Sequence, residues 1–200
     1  MSEHIDIDHE LITIRHYLHA HPERSFREFG TSIYLTDQLK AHGIEILHNP
    51  LETGVVGLIQ GEAGPGPRIG LRADIDGLPI VEDSGLEFSS VNEGVMHGCG
   101  HDAHTTCGVY VARLLKAHAD ELCGTYKIIF QPAEEGTRGA APMAAAGVVD
   151  DLNWFFGAHV GCNCRIGEAS VVKKGFLATT KIDIEFTGVP SHAGSDPEKG

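Results

Sequence analysis

The chain is 200 residues long and 42% hydrophobic, with 28 acidic against 15 basic side chains and a formal charge of -13. This is enough apolar content for a core of ordinary size, which excludes a disordered chain, and the charge disfavours nucleic acid and anionic membrane surfaces as partners. The opening Met1 to Asp6 lacks the regions of a signal peptide, no apolar run approaches the ~20 residues of a membrane span, and five cysteines without a disulfide pattern point to a reducing, cytoplasmic setting.

In chain order, Leu11, Ile14, Arg15 and Leu18 recur at helical spacing, and His21-Pro22-Glu23 breaks the helix. A second helix is predicted from about Gly30 to Ala41, stopped by Gly43. Short β-type runs follow at Val55 to Ile59 and Ile69 to Ile75, separated by the turn-forming Gly61 to Pro67. The second run leads into the carboxylate pair Asp74 and Asp76. Thr105 to Ala119 reads as a helix with Val109, Ala112, Leu115 and Ala119 on one side and Cys107 buried as a small apolar residue. Tyr126 to Phe130 and Trp154 to Ala158 read as strands. The alternation predicts an α/β fold with a mostly parallel sheet covered by helices, in which ligands gather beyond the carboxyl ends of the strands.

Candidate donors fall at those ends. His97-Gly98-Cys99-Gly100-His101-Asp102-Ala103-His104 packs a thiol, three imidazoles and a carboxylate ahead of a helix, a density that suits a metal site built for hydrolysis better than a solvated loop. Gln131-Pro132-Ala133-Glu134-Glu135-Gly136 follows a buried strand. Two adjacent carboxylates there repel unless a cation or proton lies between them, although a helix N-terminus also favours acidic residues. His159 ends a third strand, where it is either a metal ligand or a satisfied core histidine. Cys162-Asn163-Cys164 is either a pair of loop thiols or a second metal or redox element.

Arg72-Ala73-Asp74-Ile75-Asp76-Gly77-Leu78-Pro79, His97-Gly98-Cys99-Gly100-His101-Asp102, Gln131 to Gly136 and Ser191-His192-Ala193-Gly194 occur in an order that resembles the metal-dependent N-acyl-amino-acid amidohydrolases. That family includes aminoacylase-like, hippurate and auxin-conjugate hydrolases of the zinc-peptidase-like superfamily. His21-Pro22-Glu23 and Phe26-Arg27-Glu28 also look like its first block, so the likeness covers essentially the whole chain. The resemblance implies a site for two divalent ions (Mn, Zn or Co) with Cys99, His101, Glu135 and His159 at ligand positions and Glu134 as general base. It further implies that Asp74 orients a ligand from behind, and Asp102 is expected to do the same for His101. The implied reaction is hydrolysis of the amide bond of an N-acyl amino acid. In the wider superfamily a histidine stands where Arg72 stands here, which argues against a plain di- or tripeptidase.

The resemblance also implies a three-layer catalytic domain over residues 1–175, followed at 176–200 by the start of a smaller α+β lid and dimerisation domain. Thr180 to Thr187 is its expected first strand. His192 would help to hold the oxyanion, in a homodimer formed through the lid. On this reading the chain is the front half of an enzyme, and alternatives are a fragment that binds metal without turnover or a metal-stabilised structural module. Arg72 and Arg138 are each either carboxylate contacts for the substrate or supporting residues.

Overall fold

Leu11, Ile14 and Leu18 lie along one side of helix α1 (Ile7–Ala20), and Ile14 and Leu18 are buried. Thr31, Leu35 and Leu39 form the buried i, i+4 stripe of α2 (Phe29–Ala41). Gly43 ends α2 as expected: its φ of 66° is left-handed, and its amide donates to the Lys40 carbonyl at 2.9 Å. The computed structural model describes residues 7–136, 138–161, 165–171, 182, 184–185, 187–195 and 198.

Strands β1 (Glu45–Leu47), β2 (Val55–Gln60), β3 (Arg68–Asp74), β4 (Thr125–Gln131) and β5 (Trp154–Gly157) form one sheet in the order β1-β2-β4-β3-β5. Helices α3 (His101–Ala117) and α4 (Ala140–Ala145) follow β3 and β4 respectively. The sheet is mixed: β3 runs parallel to β4 and β5, while β2 is antiparallel to both β1 and β4, so that β2 alone is reversed. Burial on both faces makes β2 read like a parallel strand, because an apolar run reports enclosure and not direction.

Two apolar layers enclose the sheet. On one face Ile14, Leu18, Leu35, Leu39, Val109 and Ala112 pack on Val55, Ile59, Ala73, Ile128 and Phe130. On the other, Met143 packs with Val56 and Ile129, flanked by Leu47, Val148 and Leu152. Strand alternation explains the division, since Val55 and Val56, like Ile128 and Ile129, point to opposite faces. Helices thus cover both sides, as the three-layer expectation requires.

Cys107 departs from its expected place. It is exposed, because His104, Thr105 and Val109 take the inward face of α3. Among the described residues no helix is long and apolar enough to cross a membrane. The chain divides into two compact units, Met1–Asn163 and Cys164–Gly200. Cys162 and Cys164 lie outside the described residues, as do residues 180, 181, 183 and 186 of the segment expected to form a strand.

Phe130 is fully buried, and a Cβ built on Gly108 would stand 2.9 Å from its ring, so α3 reaches the sheet only because residue 108 lacks a side chain. Phe130→Ala is expected to destabilise the first unit by about 3–5 kcal/mol. Urea unfolding followed by circular dichroism checks this, and an unshifted midpoint would contradict the packing described.

Candidate metal centre

Because β3, β4 and β5 are parallel, their carboxyl ends share one edge of the sheet, with Asp74 beside Gln131 in register. Asp74 closes β3, Glu134 and Glu135 follow β4, and His159 follows β5. The first turn of α3 supplies His101, and the loop before it supplies Cys99. The helix begins at His101, earlier than its apolar periodicity suggests, because Gly100 enters it with a left-handed φ of 85°.

His101 lies at the centre, with its side chain wholly buried. Its Nδ1 lies 2.8 Å from the Asp76 main-chain oxygen. A carbonyl only accepts, so Nδ1 carries a proton, and in the neutral ring the lone pair is on Nε2. Around that lone pair stand Asp74 Oδ2 at 3.5 Å, Glu135 Oε1 at 3.8 Å and Glu134 Oε2 at 3.9 Å. Donor atoms of Cys99, His101 and Glu135 lie within 4.8 Å of one another, and His159 Nε2 is 3.4 Å from the Cys99 sulfur. Cys99, His101, Glu135, His159 and Glu134 are therefore brought together at one place.

His101 Nε2 and Glu135 Oε1 are both buried without a hydrogen-bond partner. Leaving two such atoms unsatisfied costs about 1–3 kcal/mol each, and a cation between them removes that cost. The charges agree. Burial first, then the carboxylates of Glu135, Glu134 and Asp74, pushes the Cys99 thiol up to about 11. Burial and Glu134 also raise Glu135 above the usual carboxylate range, against the pull of His101. Burial opposes a charge on His101, but Asp76 and Asp74 outweigh it and raise its pKa. A pocket that disfavours thiolate and carboxylate unless positive charge arrives, with sulfur, nitrogen and oxygen donors converging, fits a divalent transition ion.

Asp76 fixes the loop that carries the glutamates, a role the sequence did not reveal. Its Oδ1 accepts from the Glu134 amide and its Oδ2 from the Glu135 amide, both at 3.0 Å, and Ser25 Oγ donates to Oδ2 at 2.6 Å. Burial works against its ionisation, but hydrogen bonds from His101, Ser25 and the two amides hold its pKa below the ordinary value. Glu28, fully buried, receives the Ala133 amide at 2.8 Å and steadies the same loop from α2's side.

Asp102 does not orient His101. It faces α1, where its Oδ2 receives Arg15 Nε at 2.9 Å and contacts His19 Nδ1 at 2.8 Å, while His19 Nε2 reaches Glu82 at 3.1 Å. One residue along a helix is a turn of about 100°, so Asp102 and His101 cannot share a target. His97 also faces this side, its ring centroid 6.5 Å from that of His19, and burial pushes its pKa down to about 4. Arg72 donates to Asp74 at 2.7 Å and to Gln131 at 2.9 Å, which is the supporting alternative. Arg138 is exposed. His192 belongs to the second unit, where its Nδ1 accepts from the Gly194 amide at 3.1 Å.

Comparison with known proteins bears on this arrangement. The model of peptidase family M20/M25/M40 matches residues 70–197, and the chain belongs to that family. It is 47% identical over 155 residues to an indole-3-acetyl-aspartic acid hydrolase of Enterobacter agglomerans, covering 74% of this chain and 35% of that protein. It is 40% identical over 197 residues to an N-acetyl-L-cysteine deacetylase of Bacillus subtilis, covering 96% of this chain and 47% of the relative. A crystal structure of a Bacillus subtilis dinuclear metal-binding peptidase of the M20 family superposes with a TM-score of 0.76 at 44% identity, over 78% of this chain and 44% of that one. The chain thus spans half or less of the length of these proteins.

Asp76→Ala is expected to weaken zinc binding about 10–100-fold, because it frees the glutamate loop and a wall of His101's pocket. Asp102→Asn should lower the thermal midpoint yet leave zinc affinity close to that of the parent chain. Calorimetric titration and melting of both variants distinguish the two carboxylates, and equal loss of affinity would contradict the division.

Proposed function

We propose that this chain carries the metal-binding and proton-transfer groups of a hydrolase that cleaves the amide bond of N-acyl amino acids to a carboxylic acid and a free amino acid. The observation that carries the reading is the pair of buried, unpartnered atoms His101 Nε2 and Glu135 Oε1, 3.8 Å apart, facing Cys99 and His159. Cys99, His101, Glu135 and His159 hold the ions. When bound, divalent ions supply the positive charge that acidifies water and polarises an amide carbonyl. The names of the relatives support the substrate class, since one acts on indole-3-acetyl-aspartic acid and another on N-acetyl-L-cysteine.

Glu134 is the proton carrier in this reading. Its side chain is 42% exposed and its Oε2 lies 3.9 Å from His101 Nε2, so it is open to water and substrate while its amide is pinned by Asp76. It takes the proton of the attacking water and passes it to the nitrogen of the departing amine, as general base and then general acid. The neighbouring Glu135 is held inward, and this difference in exposure separates the roles of two adjacent carboxylates. Asp74, held ionised at a pKa of about 2 by the His104 hydrogen bond and the Arg72 charge against the cost of burial, orients the ligands from behind. His192 holds the oxyanion, in a homodimer formed through a lid that starts near residue 176. The ions are manganese, zinc or cobalt, and Cys99, Cys107 and Cys123, all free thiols, suit a cytoplasmic setting.

The test is Glu134→Gln, assayed in the protein that carries this chain with acetyl, benzoyl and indole-acyl amino acids and added Mn²⁺, Zn²⁺ or Co²⁺. Turnover is expected to fall by at least about 10²–10⁴-fold with metal content unchanged, and chelation of the parent protein should abolish hydrolysis until metal is restored. Retained turnover in the variant would overturn the assignment of Glu134.

A further inference from the structure

His104 lies beside the four ligand positions, one turn along α3 from His101, and its donor atoms stand close to those of Asp74, His101 and His159. That proximity invites its assignment as a fifth ligand. Its hydrogen bonds exclude this. His104 Nδ1 is 2.6 Å from Asp74 Oδ1, and its Nε2 accepts from the Val160 amide at 2.9 Å. The Asp74 carboxylate, already receiving Arg72, only accepts, and a backbone amide only donates. The ring is therefore neutral, with its proton on Nδ1, and neither nitrogen is left for a metal.

The bonds continue beyond Val160. His159 Nδ1 contacts the Val160 carbonyl, which again only accepts, so the His159 proton is on Nδ1 and its Nε2 lone pair faces the Cys99 sulfur. Val160 is thus held at both backbone groups, by His104 on one side and His159 on the other. The segment also packs where Gly100 leaves room: a Cβ on Gly100 would lie 2.4 Å from Val160 Cγ2. Beyond the end of β5 at Gly157, the His159 ring also packs edge-on against the rings of His104 and His101, with centroids 4.3 and 6.1 Å apart.

We propose that His104 is a positioning residue: it carries the fixed geometry of Arg72 and Asp74, through the Val160 peptide, to His159, and so sets which nitrogen His159 presents to a metal. This rests on the reading of Cys99, His101, Glu135 and His159 as ligands, and it makes His104 a brace for that set. The usual tautomer of a free histidine has its proton on Nε2, so the arrangement demands the less common form at both rings.

Two measurements test it. Nitrogen-15 spectra of the metal-free full chain are expected to show His104 and His159 both protonated on Nδ1, and an Nε2-protonated His104 would overturn the proposal without reference to metal. Cobalt titration then separates the two bonds of His104. His104→Gln keeps an acceptor near the position of Nε2, whereas His104→Asn keeps only a donor near that of Nδ1. His104→Gln, which keeps the Val160 contact without the Asp74 bond, His104→Asn, which keeps the reverse, and His104→Ala should each lose about 10–100-fold, and parent-like affinity in His104→Gln would overturn the link to Asp74. The Cys99-to-cobalt charge-transfer band should remain at saturating metal. Parent-like affinity in His104→Asn would overturn the role of the Val160 contact. No cobalt binding by the parent chain would overturn the metal centre itself and this inference with it, an outcome distinct from parent binding that the variants leave unchanged.

Discussion

A buried carboxylate organises the site: Asp76 gathers the Glu134 amide, the Glu135 amide and the Ser25 hydroxyl on its two oxygens, while its main-chain oxygen takes the His101 ring. Those bonds link the exit of β3, the loop after β4 and the start of α3. A carboxylate can be kept ionised in a nearly closed space when several donors converge on it, and amide donors come from backbone that cannot rotate away. Asp76 therefore converts charge into position. The glutamates that follow β4 face His101 because their own peptide groups are anchored from behind.

Anchoring negative groups together has a cost that shapes what the pocket accepts. Asp74, Glu134, Glu135 and the Cys99 thiol all approach one imidazole, and removing like charges from water costs several kcal/mol per ion unless they are paired. Arg72 compensates Asp74 alone. Cys99 and Glu135 answer by resisting ionisation, the thiol and the carboxyl both raised. A cation at the His101 lone pair reverses both tendencies at once. Apolar packing of the sheet is indifferent to this, so the fold and the affinity for metal are separable properties, carried by different residues.

Much of this was legible in the sequence, for reasons that differ by element. The stripes in α1, α2 and α3 and the runs of β2 to β5 follow from periodicity and enclosure. Strand β1 and helix α4 were missed: three residues are too few for a pattern, and α4 is an alanine-rich turn with a proline and a single buried methionine. The reversal of β2 left no mark in the sequence because that strand is covered on both faces. At the site, the clustering of Cys99, His101 and His104 in one octapeptide and the position of Glu134 and Glu135 after a strand pointed to the place. What spacing could not give is partnership. Asp76 and Asp102 look equally suited to support His101, and only the rotation of α3 and the path of the chain after β3 decide between them. Asp74 and Asp76 lie two residues apart yet take different partners, because β3 ends between them.

The same rotation explains how one helical turn is secured from two sides. His101 and His104, separated by three residues, face the strand ends, while Asp102 faces α1 and binds Arg15 and His19. His19 in turn bonds Glu82, and Ser90 donates its amide to that glutamate, so the long segment between β3 and α3 is tied down on the side away from the metal ligands. Ligand geometry must hold to a fraction of an ångström for a centre to be selective, and a helix N-terminus is ordinarily where backbone frays, its first amides lacking helical partners. Here the first turn has side-chain anchors on opposite faces before any metal arrives. The residues pointing away from the centre thus keep the turn folded, and substitutions on α1 that break these bonds are felt in stability and not in the pocket that faces the strand ends.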